Sequence, residues 1–157
     1  MLLGQEAPHI KGFCVFPGGE VKEIDTEMLL GEWTLLFCVP SEFGPICATE
    51  IMEFNKEIKS FQDLDCNIVG MTHGSVLANI AWTKAESGIG QLQFPLMGDI
   101  GSKNIKNFGW KYPSRGSAII SPDWKLMYIS SYPYQVKRDV QEILRVLRSV
   151  STEKSSV

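Results

Sequence analysis

The chain has 157 residues, 44% of them hydrophobic, and a formal net charge of −3. That length reads as one domain, residues 1–157, with a sizeable core, and the apolar content excludes a disordered chain. The absence of a basic cluster argues against nucleic-acid binding, and no apolar run reaches the roughly 18 residues of a membrane span.

The N-terminus, MLLGQEAPHIKG, has too short an apolar part for a signal peptide. Residues 10–16 and 20–24 are short runs split by Pro17-Gly18-Gly19, which predicts a hairpin. Asp25 and Thr26 precede Met28-Leu29-Leu30, one helical turn ending at Gly31. Trp33 to Val39 is an almost unbroken apolar run, suited to a central strand covered on both faces. After it, Ile51, Phe54, Ile58 and Phe61 recur at three and four residues, one face of one helix. Residues 66–71 read as a second buried strand, and Val76 to Ala85 as a helix carrying Trp82, ended by Ser87 to Gly90. Phe94-Pro95-Leu96 reads as extended, and Ile100 to Phe108 as a short helix closed by Gly109. Ser117 to Ser121 and Lys125 to Ser130 are strands around the turn Pro122-Asp123. Val136 to Val150 is an amphipathic helix burying Val136, Val140, Ile143, Leu144 and Leu147, and STEKSSV reads as a frayed end. The alternation predicts an α/β fold: a mixed central sheet with helices on both faces.

The chemistry centres on PSEFGPICATE, residues 40–50. Cys47 falls where a strand ends, a loop turns and a helix begins. A helix start offers unpaired N–H groups and the positive end of a dipole, so a thiol there ionises more readily than a free one. Two readings stay open from position alone: a reactive thiolate, or a small buried hydrophobe. The other cysteines, Cys14, Cys38 and Cys66, sit in strand runs and read as core. No pair has CxxC spacing, so neither a zinc site nor a dithiol motif is indicated. With no export signal, the thiols read as reduced and the protein as cytoplasmic.

FCVPSEFGPICATEIMEF resembles the active-site segment of the peroxiredoxins, in particular the alkyl hydroperoxide reductase and thiol-specific antioxidant family. Pro40, Phe43, Cys47, Thr49 and Glu50 stand in register. GQEAP, CNIVGMT, Ala81-Trp82, FPLMGD, SRGSAIISPDWKL and RDVQEILRVLRSV are similar to further family segments in the same order. The resemblance implies a thioredoxin-like fold and a peroxidase that needs no metal, haem or other cofactor. It makes Cys47 the peroxidatic cysteine, which attacks a hydroperoxide and becomes a sulfenic acid. Arg115 becomes the arginine that holds thiolate and peroxide, and Pro40 the shield of the sulfur. Glu50 would orient the arginines and Arg138 would hold Glu50; their plain alternatives are surface charges. Trp82 would line the pocket, or be core. Relatives form antiparallel homodimers, some closing into decamers of five dimers. Phe43 and residues 75–77 match segments of that larger contact.

Three departures stand out. Gly44 replaces a threonine or serine whose hydroxyl contacts sulfur and peroxide in relatives, with Pro45 and Ala48 also altered beside it. Val39 replaces a tyrosine. No cysteine occupies a resolving position: Met52 stands at one such site, and none follows Cys66 before Val157. The expectation is a slow, one-cysteine peroxidase acting on hydrogen peroxide or small organic hydroperoxides, reduced by an external thiol or a thioredoxin-like protein. A shortened chain is an alternative account of the missing cysteine. The alternative function is an impaired homologue serving as redox sensor, chaperone-like or scaffold protein.

Overall fold

The structure is a computed structural model that describes residues 2–85 and 89–152. Its elements in order are β1 (Lys11–Val15), β2 (Val21–Asp25), α1 (Thr26–Leu29), β3 (Trp33–Cys38), α2 (Pro45–Lys56), α3 (Ile58–Asp63) and β4 (Cys66–Thr72). There follow α4 (Val76–Lys84), β5 (Leu96–Gly98), α5 (Lys103–Asn107), β6 (Ser114–Ile120), β7 (Leu126–Pro133) and α6 (Val140–Thr152).

Seven strands form one mixed sheet in the order β2-β1-β5-β4-β3-β6-β7. β3, β4 and β5 run parallel to one another, while β6 pairs antiparallel with β3 and with β7. Successive strand side chains point to opposite faces, and β3 uses both. Leu35 and Phe37 enter one core with Cys47, Ile51 and Phe54 of α2, Trp82 of α4 and Leu144 of α6. Leu36 and Cys38 enter a second core with Leu29 of α1, Ile105 of α5, Trp110 and Trp124. A strand that feeds two cores must be apolar throughout, which is the pattern that Trp33 to Val39 carries.

Several local expectations are corrected. The single helix expected over Ile51 to Phe61 breaks at Glu57, whose N–H bonds back to Phe54 O, leaving α2 and α3. The last helix starts at Val140, not Val136. Asp139 accepts from Gln141 N–H at 3.0 Å and Glu142 N–H at 3.2 Å, a side-chain cap at the helix start. Val136 lies outside that cap and is exposed rather than buried. The helix expected from Ile100 begins at Lys103. Asp99 accepts from Asn104 N–H and Ile105 N–H, and so fixes the first turn there. Both late strands begin or run further than expected, because their ladder extends to the pair Ser114↔Pro133. The break expected at Ser87 to Gly90 and the frayed end lie largely outside the described residues. Among the described residues no helix is long and apolar enough to cross a membrane.

Candidate active site

Cys47 lies in the first turn of α2, with Gly44 as N-cap and Pro45 at the first helical position. Proline suits that position, since its missing N–H would have had no helical partner.

The sheet brings the arginine. In the β3–β6 ladder Phe37 faces Ser117, and two residues on, Arg115 stands level with the end of β3. Arg115 thus lies inside a strand, not before one, and is buried. Its Nη1 donates to Cys47 Sγ at 3.4 Å and to Glu50 Oε1 at 2.6 Å, and its Nε donates to Tyr134 O at 2.8 Å. Three residues after Cys47, Glu50 lies on the same face of α2. It is fully buried in the second turn, not an exposed carboxylate at the helix mouth.

Arg138 completes the group from the loop before α6. Its backbone N–H and Nε donate to Glu50 Oε2 at 2.8 and 3.0 Å. Nη1 donates to Gly116 O at 2.7 Å and Ser117 Oγ at 2.9 Å, and Nη2 donates to Cys38 O at 2.5 Å. The guanidinium also lies 5.1 Å from the Phe37 ring. Two buried guanidiniums share one carboxylate, so one positive charge is left for an anion at the cleft. A buried charge with unfilled donors is costly, which explains why nearly every donor of Arg138 is matched.

Above the sulfur is a cleft of about 320 Å³, lined by Pro40, Gly44, Cys47, Pro113, Arg115 and Tyr134, among others. Pro40 is buried and lines the cleft beside Cys47. Trp82 does not line the cleft. It is core, with its ring centroid 6.1 Å from that of Phe43. Val39 is also core, in the same cluster as Cys47, and does not line the cleft. A Cβ built on Gly44 would stand 3.4 Å from Cys47 Sγ and 3.5 Å from Ser41 O, ordinary contacts. Space for a Cβ beside the sulfur therefore exists.

The remaining thiols differ in kind. Burial pushes Cys14 and Cys66 up to about 12 and Cys38 up to about 11. They are neutral core residues at ordinary pH. Cys66 faces Trp33 and Cys38 faces Met71 in the β3–β4 ladder, so Cys66 lies about 16 Å along the sheet from the Cys38 end where Cys47 sits. A disulfide needs Cα atoms within about 7 Å. Cys14 and Cys38 belong to the other core, across the sheet from Cys47.

Sequence reasoning missed Ser117 and the carbonyls of Cys38, Gly116 and Tyr134, all partners of the arginines. Backbone acceptors leave no residue-type signal. Gly116 had one: a Cβ there would lie 2.2 Å from Trp110, so only glycine lets the indole cover this strand. Among the described residues no group of three His, Cys, Asp or Glu side chains could hold a metal ion.

Known proteins resemble this chain in sequence and in fold. The pattern of the AhpC/TSA family matches residues 3–129. A thioredoxin peroxidase of Trypanosoma brucei rhodesiense is 31% identical over 94% of this chain and 78% of its own length. A peroxiredoxin of Thermotoga petrophila is 30% identical over 96% of this chain and 72% of its own. Among solved structures, the mitochondrial 2-Cys peroxiredoxin of Plasmodium falciparum superposes with a TM-score of 0.88 at 27% identity, covering 95% of this chain and 94% of that one. The reduced 2-Cys peroxiredoxin of Plasmodium vivax gives 0.92 at 23% identity, covering 96% and 82%, a likeness of fold. The mixed sheet is that of the thioredoxin-like peroxiredoxins, and this chain belongs to the AhpC/TSA family of peroxiredoxins.

Proposed function

We propose that this protein is a slow, one-cysteine peroxidase of hydrogen peroxide and small organic hydroperoxides. The observation that carries the reading is Cys47 Sγ at 3.4 Å from Arg115 Nη1, with that guanidinium locked in turn by Glu50 at 2.6 Å. The thiolate attacks the distal oxygen of the peroxide. An S–O bond forms, the O–O bond breaks, and the departing alkoxide or hydroxide takes a proton to leave as alcohol or water. Arg115 donates to the oxygens as negative charge passes across them. Cys47 is left as a sulfenic acid. An external thiol, small or carried by a thioredoxin-like protein, attacks that sulfur and releases water. A second thiol then cleaves the mixed disulfide and restores Cys47.

Slowness follows from Gly44, which supplies no side-chain donor over the sulfur. The placing of Cys14, Cys38 and Cys66 within the chain, away from Cys47, supports the one-cysteine cycle. Gly44 also favours the second reading, a homologue that senses or scaffolds rather than turns over. We place the protein in the cytoplasm as a homodimer. β7 ends the sheet, and its outer edge beyond Leu126, which bonds to Gly4 and Gln5, would pair with a second copy. Closure of dimers into a decamer would use Phe43 and Leu77, both exposed.

Non-reducing mass spectrometry after one equivalent of peroxide tests the cycle. The expected product carries one added oxygen, on Cys47, and no internal bridge. A disulfide between Cys47 and any of the other three cysteines would overturn it.

A further inference from the structure

Residues 40–44 cross from the end of β3 to the start of α2 with little to hold them. At one end Val39 N–H donates to Met71 O at 3.0 Å, and at the other Ala48 N–H donates to Gly44 O at 2.9 Å. Between these anchors Phe43 sits at φ 63°. A non-glycine residue keeps that left-handed conformation only where its surroundings impose it. Phe43 is 55% exposed, so its packing alone does not impose it. Gly44 adds no side chain.

Among the described residues, one hydrogen bond ties this loop to another segment. Gly74 N–H, in the connection between β4 and α4, donates to Glu42 Oε1 at 2.9 Å. Glu42 and Gly74 are matched to each other. A Cβ built on Gly74 would lie 2.3 Å from Oε1 and 2.9 Å from Cδ of Glu42, so the carboxylate occupies the place of a side chain. Gly74 is not in the left-handed region, so glycine here serves close approach rather than backbone freedom. Its own segment is firm: the next residue, Ser75, caps α4 by accepting from Ala78 N–H at 3.2 Å. Gly98 of β5 packs so closely on this connection that a Cβ there would meet Val76 N at 2.3 Å.

We propose that Glu42 is a positioning residue for Cys47. Its carboxylate clamps the loop to Gly74 N–H, and so holds the first turn of α2 with Cys47 Sγ against Arg115. Glu42 touches neither the sulfur nor the cleft, and it acts through the loop alone. The inference rests on Cys47 being the peroxide-reducing thiol. It adds why a loop with a glycine over the sulfur and a strained Phe43 still presents that thiol in one place.

The test combines amide exchange at Gly74 with the single-turnover rate constant for hydrogen peroxide. Glu42→Ala should speed exchange of the Gly74 N–H at least tenfold and slow the peroxide step at least fivefold. Glu42→Gln keeps an accepting oxygen and should stay within twofold of the original in both. Gly74→Ala should match Glu42→Ala, and the double variant should be no slower than either single one, because the clash vanishes with the carboxylate. Glu42→Ala reacting within twofold of the original chain, or Glu42→Gln as slow as Glu42→Ala, would overturn the proposal. An original chain that consumes no peroxide would instead overturn the functional reading, and the exchange rates would still judge the clamp.

Discussion

Replacing Gly44 by threonine offers the sharpest test of why this site should be slow. The Cβ would arrive 3.4 Å from Cys47 Sγ and 3.7 Å from Cys47 Cβ, contacts that need no rearrangement. Gly44 has φ −71° and ψ 134°, extended values that threonine adopts freely. A hydroxyl on that carbon reaches the sulfur and the space where a peroxide oxygen would sit. One preorganised donor aimed at developing charge contributes roughly 100- to 1,000-fold in rate. The cleft opens to solvent, and water entering it would supply part of that donation. The expected gain is therefore about 10- to 100-fold, or about 1.4–2.7 kcal/mol off the barrier. As N-cap, threonine would change the stability of α2 by only a few tenths of a kcal/mol, since glycine is itself a fair cap. Single-turnover stopped-flow with hydrogen peroxide reads the effect, with Gly44→Ala as the control that adds bulk without a donor. A gain shared by Gly44→Ala, or no gain in Gly44→Thr with its melting temperature unchanged, would refute the reasoning.

Two further outcomes follow from the buried groups. Arg138→Met removes both side-chain bonds to Glu50 Oε2 and Oε1 and leaves that fully buried carboxylate with Arg115 and the backbone N–H of residue 138. Breaking such a buried pair costs about 3–5 kcal/mol, so calorimetry should show a melting temperature lower by about 6–20 °C. A shift within 2 °C would mean that the network adds little to stability. The second outcome concerns alkali. Burial raises Cys14, Cys38 and Cys66 from an ordinary 9.0 to about 12, 11 and 12. Above pH 9 the unfolded chain releases these protons while the native chain keeps them, so stability falls as pH rises toward 11 and 12. Each thiol contributes about 1.4 kcal/mol per pH unit in that window. Urea denaturation between pH 8 and 11 should show the decline, and Cys14→Ala should make it shallower; an identical slope in that variant would contradict the assignment.

Much of the site was legible because its parts are local. An apolar run, a proline, a cysteine and then a helical period place Cys47 at a strand–helix junction, and the structure puts it there. The apolar run of β3 also announced that both faces of the sheet are covered. What was illegible depends on pairing across the chain. Arg115 reads as a residue before a strand because its neighbours are polar, yet the β6–β7 ladder carries the strand back to Ser114. Glu50 reads as a carboxylate at a helix mouth because the apolar period becomes visible only after Cys47. The helix starts at Pro45, and that turns Glu50 inward between two arginines. The break at Glu57 leaves no glycine or proline behind it, so the apolar period runs through it unmarked. Glu42 and Gly74 are an ordinary loop acid and loop glycine in sequence, and only their contact at 2.9 Å gives them meaning.

The central claim is that one sulfur, held against Arg115, reduces peroxide. Stopped-flow consumption of hydrogen peroxide by the reduced protein without added thiol tests it most directly, beside Cys47→Ser. The predicted result is a slow burst of one peroxide per chain in the original protein and none in Cys47→Ser. Equal consumption by both, or no burst in the original protein, would contradict it.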